Sequence, residues 1–196
     1  MLKKLQQDPR LTDFFLVGGT ALALQIGHRL SIDLDLFTQN PIDTQQLETY
    51  LNKKFDFFTD YVGPNTLKGF IKNIKADFIT HDYPLVRPLI VEGSLRLASL
   101  EDIAAMKLNA IAHSGYRQKD FYDLYFLLEH HSLKVYLKAY QEKYPHSNPV
   151  IPLKGIVYFD DIDFEIEQPM LQRKVSFKKV KERLLAAAKS PDKVFE

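Results

Sequence analysis

Apolar and polar residues alternate strictly through IDLDLF (32–37), with Ile32, Leu34 and Leu36 on one face and Asp33 and Asp35 on the other. This two-residue period predicts a strand. Just upstream, DFFLV (13–17) is a short apolar run closed by Gly18 and Gly19, and it predicts a buried strand ending in a turn. TALALQIGHRL (20–30) predicts a largely buried helix, and IDTQQLETYLNKKF (42–55) a helix with Pro41 near its start and a polar outer face. A meander is predicted next, from FDFFTDYV (55–62), LKGFIKN (67–73) and KADFITH (75–81), turning at Gly63-Pro64-Asn65.

From residue 99 the period becomes helical. Ser99 and Asp102 have capping-box spacing ahead of LEDIAAMKLNAIAH. QKDFYDLYFLLEHH (118–131) and LKVYLKAYQEKY (133–144) predict two more helices, and Pro145, Pro149 and Pro152 punctuate a connector. GIVYFDDIDFEI (155–166) fits neither period, whereas SFKKVKERLLAAAK (176–189) predicts an amphipathic basic helix. The chain therefore divides into an α/β lobe, roughly 1–95, and a helical lobe, roughly 96–196.

Composition narrows the chemistry. With 196 residues the chain is long enough to bury a sizeable core. A net charge of +1 gives no global signature for binding polyanions, so contact with nucleic acid requires a local patch. The absence of cysteine excludes disulfides, thiolate metal sites and a cysteine nucleophile, and suits a cytoplasmic protein. No signal peptide is expected from MLKKLQQDPRL, and no apolar run approaches membrane-spanning length.

Asp33 and Asp35 contribute nothing to an apolar core. Two carboxylates about 4 Å apart repel by roughly 4 kcal/mol at an effective dielectric near 20, so water, a basic residue or a cation must offset them. Oxygen donors without histidine or thiolate suit magnesium; a solvated outer face of an edge strand is the alternative. Gly18 and Gly19 lie between a strand and a helix, where backbone N–H groups and the helix dipole favour a phosphate, unless the turn is an ordinary strand–helix junction. Asp77, in the strand pattern NIKADFITH, stands beside Asp35 if the two strands are neighbours; otherwise it pairs with Lys75 or a lysine across the sheet.

The spacing of VGG, thirteen residues and DLDL resembles the DNA polymerase β-like nucleotidyltransferase signature. GGTALAL, GHRLSIDLDLF and the later AMKLNAIAHSGYRQKDFYDLYFLL together resemble the AbiEii/AbiGii nucleotidyltransferase toxins of phage-defence toxin–antitoxin pairs, usually described as type IV. The resemblance covers residues 10 to 135 and implies an α+β fold: a short mixed sheet with flanking helices, then a helical lobe closing the active-site cleft.

It also implies roles. Asp33, Asp35 and Asp77 would hold Mg2+, in a two-metal site, with Asp77 also the candidate base. Gly18, Gly19 and Thr20 would hold the nucleoside triphosphate. Arg29 would bind phosphate or pair with an aspartate, and Ser31 would bind phosphate or cap a turn. Lys107 would reach a phosphate, unless it snorkels outward from its apolar helix, and would act in the active site with Asp120, which at a helix start could instead complement the dipole. Asp123 is either part of that site or a surface partner of Lys119, while a structural role suits His28. Gly19 replaces a serine common elsewhere in the superfamily, and Thr20 could supply the hydroxyl.

The basic residues Arg173, Lys174, Lys178, Lys179, Lys181 and Arg183 could touch RNA phosphates or form a solvated helix face. Three functions are consistent with these features. The first is transfer of a nucleotide to RNA, such as a tRNA end, by a toxin with a cognate antitoxin protein. The second is the same chemistry on a small molecule of the antibiotic type, and the third is nucleotide binding without turnover.

Overall fold

The computed structural model describes residues 1–166 and 168–196. In chain order the elements are α1 (Leu2–Gln6), a 3-10 turn (Pro9–Leu11), β1 (Phe15–Val17), α2 (Gly18–Ile26), β2 (Arg29–Leu30), β3 (Leu34–Thr38), α3 (Thr44–Phe55), β4 (Phe57–Gly63), β5 (Thr66–Ile71) and β6 (Ile74–Thr80). Then come β7 (Ile90–Glu92), β8 (Leu95–Leu97), α4 (Leu100–His113), α5 (Gln118–Leu127), α6 (Leu133–Lys143), α7 (Val150–Gly155), β9 (Met170–Leu171) and α8 (Phe177–Lys189). The fold is α+β, as the sequence implies.

The chain forms two compact units. One comprises residues 1–21, 31–84 and 88–98; the other comprises 22–30, 85–87 and 99–196.

The first unit is built on a seven-stranded mixed sheet in the order β4-β5-β6-β3-β1-β8-β7. The β3–β6 and β1–β8 pairs are parallel and the others antiparallel. One face of its central strands is core: Leu36, Ala76, Phe78, Leu67, Ile71 and Phe57 are all buried. The expected β4–β5–β6 meander is present. Between β5 and β6 the chain reverses at Lys72 and Asn73, both at positive φ, as a primed hairpin turn requires. Asp43 caps α3 by accepting from the Gln46 N–H, and Asp56 ends it in the left-handed conformation. The sequence suggested nothing for 90–97, where β7 and β8 form a hairpin around Gly93. The Arg96 guanidinium ties that hairpin to the N-terminal segment by donating to the carbonyls of Gln6, Leu11 and Phe14.

Two expected elements end or begin elsewhere. The helix expected over 20–30 stops at Ile26, because Gly27 adopts φ +62 and its N–H closes on the Ala23 carbonyl, a glycine C-cap. The strand expected from Ile32 begins only at Leu34. Ile32 is 68% exposed rather than sharing the buried face of Leu34 and Leu36. The physical reason is local: the Asp33 carbonyl, which a strand would commit to its neighbour, accepts from the Thr20 hydroxyl at 2.5 Å.

The second unit is helical, with the small antiparallel pair β2–β9 at its margin. Helix α4 packs against α5, α6 and α7, and α5 against α8. Ile103, Leu108, Phe121, Leu124, Tyr136, Tyr140, Val180 and Leu184 form its core. Helix α5 ends at Leu127, four residues before the expected end, and the proline-punctuated connector contains the short α7, with Pro152 in its first turn where no N–H is needed. Residues 155–166 carry no strand or helix beyond the end of α7, save a bridge between Arg117 and Asp163.

Half of the expected capping box forms. Ser99 accepts from the Asp102 N–H, but the Asp102 carboxylate does not reach back to the Ser99 N–H. It is wholly buried and accepts from the N–H groups of Val86 and Arg87, the Ser99 hydroxyl and the Lys143 ammonium. That fixes segment 85–87 to the helices.

Candidate active site

Two groups of chemically active side chains occur, one in each unit.

In the first unit, Val17 of β1 pairs in register with Asp35 of β3, and Asp35 pairs with Asp77 of β6. Parallel neighbours in register put their side chains on the same face, so the Asp35 and Asp77 carboxylates stand together. Asp33 lies on the exposed stretch before β3, and its charge acts on Asp77.

Gly18 follows β1 directly and opens α2 at φ +68. A Cβ there would lie 2.3 Å from Asp35 Oδ2, so the glycine is required twice, by conformation and by the carboxylate against it. Gly18→Ala is expected to cost about 1–2 kcal/mol through the left-handed backbone alone, which a thermal melt would read as a drop of about 2–8 °C. Displacement of Asp35 should lower activity as well.

Asp77 is nearly buried. Its Oδ2 lies 3.9 Å from Lys68 Nζ and 3.7 Å from Lys75 Nζ, and its Oδ1 has no hydrogen-bond partner. Burial pushes its pKa above the ordinary carboxylate value; Lys75 and Lys68 pull it back, Asp33 pushes it further up, and the net is upward. Among the described residues, no three His, Asp or Glu side chains are drawn together tightly enough to form a finished metal cage. The donor chemistry nevertheless fits a hard divalent cation: carboxylate oxygens only, one of them buried without a partner, beside an elbow with no Cβ.

The hydroxyls expected at the triphosphate are engaged locally. Thr20 is buried, with its oxygen 2.9 Å from the Ser31 hydroxyl as well as bonded to the Asp33 carbonyl. They shape the loop that presents Asp33. Gly19 is the second residue of α2. Concavities of about 710 and 340 Å3 flank α3 and share Arg10 and Tyr50, but neither is lined by Asp33, Asp35 or Asp77. The paired carboxylates lie outside both concavities.

The second unit gathers Arg29, Lys107, Asp120 and Asp123. Asp123 is the hub. Its Oδ1 accepts from Arg29 Nε at 2.7 Å and its Oδ2 from Arg29 Nη2 at 3.0 Å, a bidentate pair. His28 Nε2 is 2.7 Å from Oδ1, and Lys107 Nζ is 2.8 Å from Oδ2. Lys107 Nζ also lies 2.5 Å from Asp120 Oδ1. Burial would raise the Asp123 pKa, but Lys107, His28 and Arg29 outweigh it and hold the carboxyl well below the usual range. Burial would likewise lower Lys107, yet Asp120 and Asp123 raise it, so the ammonium stays charged.

The contacts bear on four readings of the sequence. Of the alternatives for Arg29, the structure shows the carboxylate pair, with Asp123 as its partner. Lys107 directs its ammonium to two carboxylates. Asp123 is fully buried, which excludes a surface pair with Lys119. His28 is structural, its ring tilted against Phe126 and bonded to Asp123. The hub was the residue that sequence reasoning undervalued. Its signal was the apolar run around it: Phe121, Tyr122, Leu124 and Tyr125 surround Asp123, and a carboxylate inside a helix buried on all sides must be paired.

In the basic C-terminal region, Arg183 is committed inward, to Glu129 at 2.7 Å and over the Tyr125 ring, and Arg173 pairs with Glu129 and lies over Phe126.

A strand running into a helix through a left-handed glycine, with acidic residues paired on the adjoining strands, is the frame of a nucleotidyltransferase. The family sequence model described as nucleotidyl transferase AbiEii toxin, type IV TA system, matches residues 1–195, and the chain belongs to that family. It is thus a nucleotidyltransferase of the toxin class, and the toxin–antitoxin assignment implies an antitoxin partner and a nucleotide substrate.

An uncharacterized protein of Aquifex aeolicus is 38% identical over 160 residues, spanning 79% of this chain and 77% of that one. Among solved structures, JHP933 of Helicobacter pylori superimposes with a TM-score of 0.60 at 21% identity, over 96% of this chain and 85% of that one. A second H. pylori protein, described only provisionally as a nucleotidyltransferase, gives 0.58 at 22% identity, over 96% and 88%. These two likenesses establish the fold. No helix among the described residues is long and apolar enough to cross a membrane.

Proposed function

We propose that this protein is a divalent-cation-dependent toxin that transfers a nucleoside monophosphate from a nucleoside triphosphate to RNA, with a tRNA end as a fitting acceptor. Magnesium is the cation best matched to the donors, and phage defence the setting that the family suggests. The single observation that carries this reading is the register of Asp35 with Asp77, one strand from the Gly18 elbow.

Asp33, Asp35 and Asp77 would hold the cation, which when bound neutralises charge on the phosphates and on the attacking oxygen. The chain's own part is positioning. Gly18 brings the start of α2 against the Asp35 carboxylate, so a phosphate held at the N–H groups that open the helix would lie beside the cation. An RNA hydroxyl attacks the α-phosphorus, the bond to the bridging oxygen breaks, and pyrophosphate leaves. The acceptor's proton goes to a carboxylate, for which the unpartnered Asp77 Oδ1 is the candidate. In the second unit Asp123 holds Arg29 and Lys107, and Lys107 holds Asp120, so these charges are fixed in place by one another.

Lysines beside Asp77 favour a polyanionic acceptor over an aminoglycoside-like cation, which an acidic pocket would suit better. The test is incubation with each labelled triphosphate, magnesium and total RNA. Label in RNA is the expected result; label in small molecules alone would replace RNA with the antibiotic-type acceptor, and no label anywhere would favour a nucleotide-binding regulator.

A further inference from the structure

We propose that the open face of β4, β5 and β6 is a track for the single-stranded part of the RNA acceptor, ending at Asp77. This rests on the reading of the protein as an RNA-directed transferase.

Two cross-strand rows compose the face. In one, Tyr61 of β4 pairs with Lys68 of β5, Lys68 with Asp77 of β6, and Asp77 with Asp35 of β3. In the other, Phe58 pairs with Phe70, and Phe70 with Lys75. The opposite face of the same strands is the apolar core, so the hydrophobic effect explains Phe57, Leu67 and Phe78 but not these rings. Phe58 is 70% exposed, Tyr61 53% and Phe70 38%. Exposed large aromatics standing side by side on a sheet are costly in water unless something covers them.

The chemistry of the rows selects the occupant. Flat rings on a rigid sheet stack with unpaired bases, whatever the sequence, while lysines between them meet phosphates. Lys68 and Lys75 stand between the rings and the carboxylates, within 4 Å of Asp77. A strand lying on Phe58 and Phe70 with its phosphates at the two lysines would deliver its end to Asp77. A paired duplex hides its base faces and cannot use the rings. Asp60, the one acidic residue of β4, falls in the bulge between Thr59 and Tyr61 and out of both rows.

The test is fluorescence anisotropy of a labelled single-stranded oligoribonucleotide with the full-length protein, without triphosphate, so that binding is read apart from transfer. Phe58→Ala with Phe70→Ala should weaken binding by about 30-fold or more, with a circular dichroism melt within about 4 °C of wild type, because only a cross-strand pair on the open face is lost. Phe58→Tyr with Phe70→Tyr should restore it. Lys68→Gln with Lys75→Gln should lower the slope of log K against log salt by about 1.4. The track is overturned if the double alanine variant binds as tightly as wild type, or if duplex RNA binds as well as single strands. Asp35→Ala separates the two proposals: with transfer already lost in that background, adding Phe58→Ala and Phe70→Ala should still weaken RNA binding. A wild-type protein that binds RNA through Phe58 and Phe70 yet labels nothing would leave the track standing and remove the transferase reading.

Discussion

Asp35→Ala is expected to reduce nucleotide transfer by about a thousandfold or more, the scale set by losing several kcal/mol of charge neutralisation in the transition state. The melting temperature should stay within about 2 °C of wild type, since the substitution relieves one of two crowded negative charges and leaves Leu34 and Leu36 in place. Asp35 holds the centre of the arrangement. It pairs with Val17 on one side and Asp77 on the other, and the Gly18 backbone closes on its carboxylate. A steady-state assay with labelled triphosphate, paired with a thermal melt, reads both quantities. An inactive protein that also unfolds would turn Asp35 into a structural residue.

Asp123→Asn is expected to do the reverse, with its largest effect on stability. Its carboxylate neutralises Arg29 and Lys107 where none of the three meets bulk water. Removing one partner of a buried ion pair typically costs about 3–5 kcal/mol, because the remaining charges keep their desolvation penalty. In a protein of this size that is a fall of about 6–20 °C in melting temperature.

Acid dependence gives a second signature. The folded pKa of Asp123 lies below its unfolded value, near 3.9, so its contribution is complete above that pH and is lost as pH falls toward the folded pKa. The variant should therefore show a shallower loss of stability below about pH 4 than wild type, measurable by urea denaturation across pH. Equal slopes would mean that the Asp123 charge is not coupled to folding.

Periodicity made the β3 to β6 sheet legible, because one face of each strand is core: Leu36, Leu67, Ala76 and Phe78 carry the two-residue pattern. It put Asp35 and Asp77 each on the open face of its strand, but that the two stand together depends on β3 and β6 being neighbours, which no local period reveals. Ile32 misled, because it continues the alternation but lies on a loop that a single hydroxyl, that of Thr20, holds out of the sheet. The β7–β8 hairpin was invisible: three-residue strands are too short to show a period, and Arg96, which anchors them, acts through main-chain carbonyls that sequence does not display.

The hub around Asp123 was half legible. Lys107 in an apolar helix stood out, but its spacing fitted an outward snorkel or a phosphate ligand equally, and its carboxylate partners depend on how α4, α5 and the end of α2 pack, which no local spacing reveals. Conversely, Phe58 and Phe70 alternate with core residues, so the pattern alone could assign them only to a polar-side position; their exposure had to be seen.

Transfer requires the paired carboxylates beside the glycine elbow to accept a divalent cation with the triphosphate. Electron paramagnetic resonance titration of Mn2+ in the presence of a non-hydrolysable triphosphate tests this without turnover. Wild type should sequester the ion, and Asp35→Ala and Asp77→Ala should each leave it free in solution. Sequestration by both variants at wild-type affinity would contradict the account.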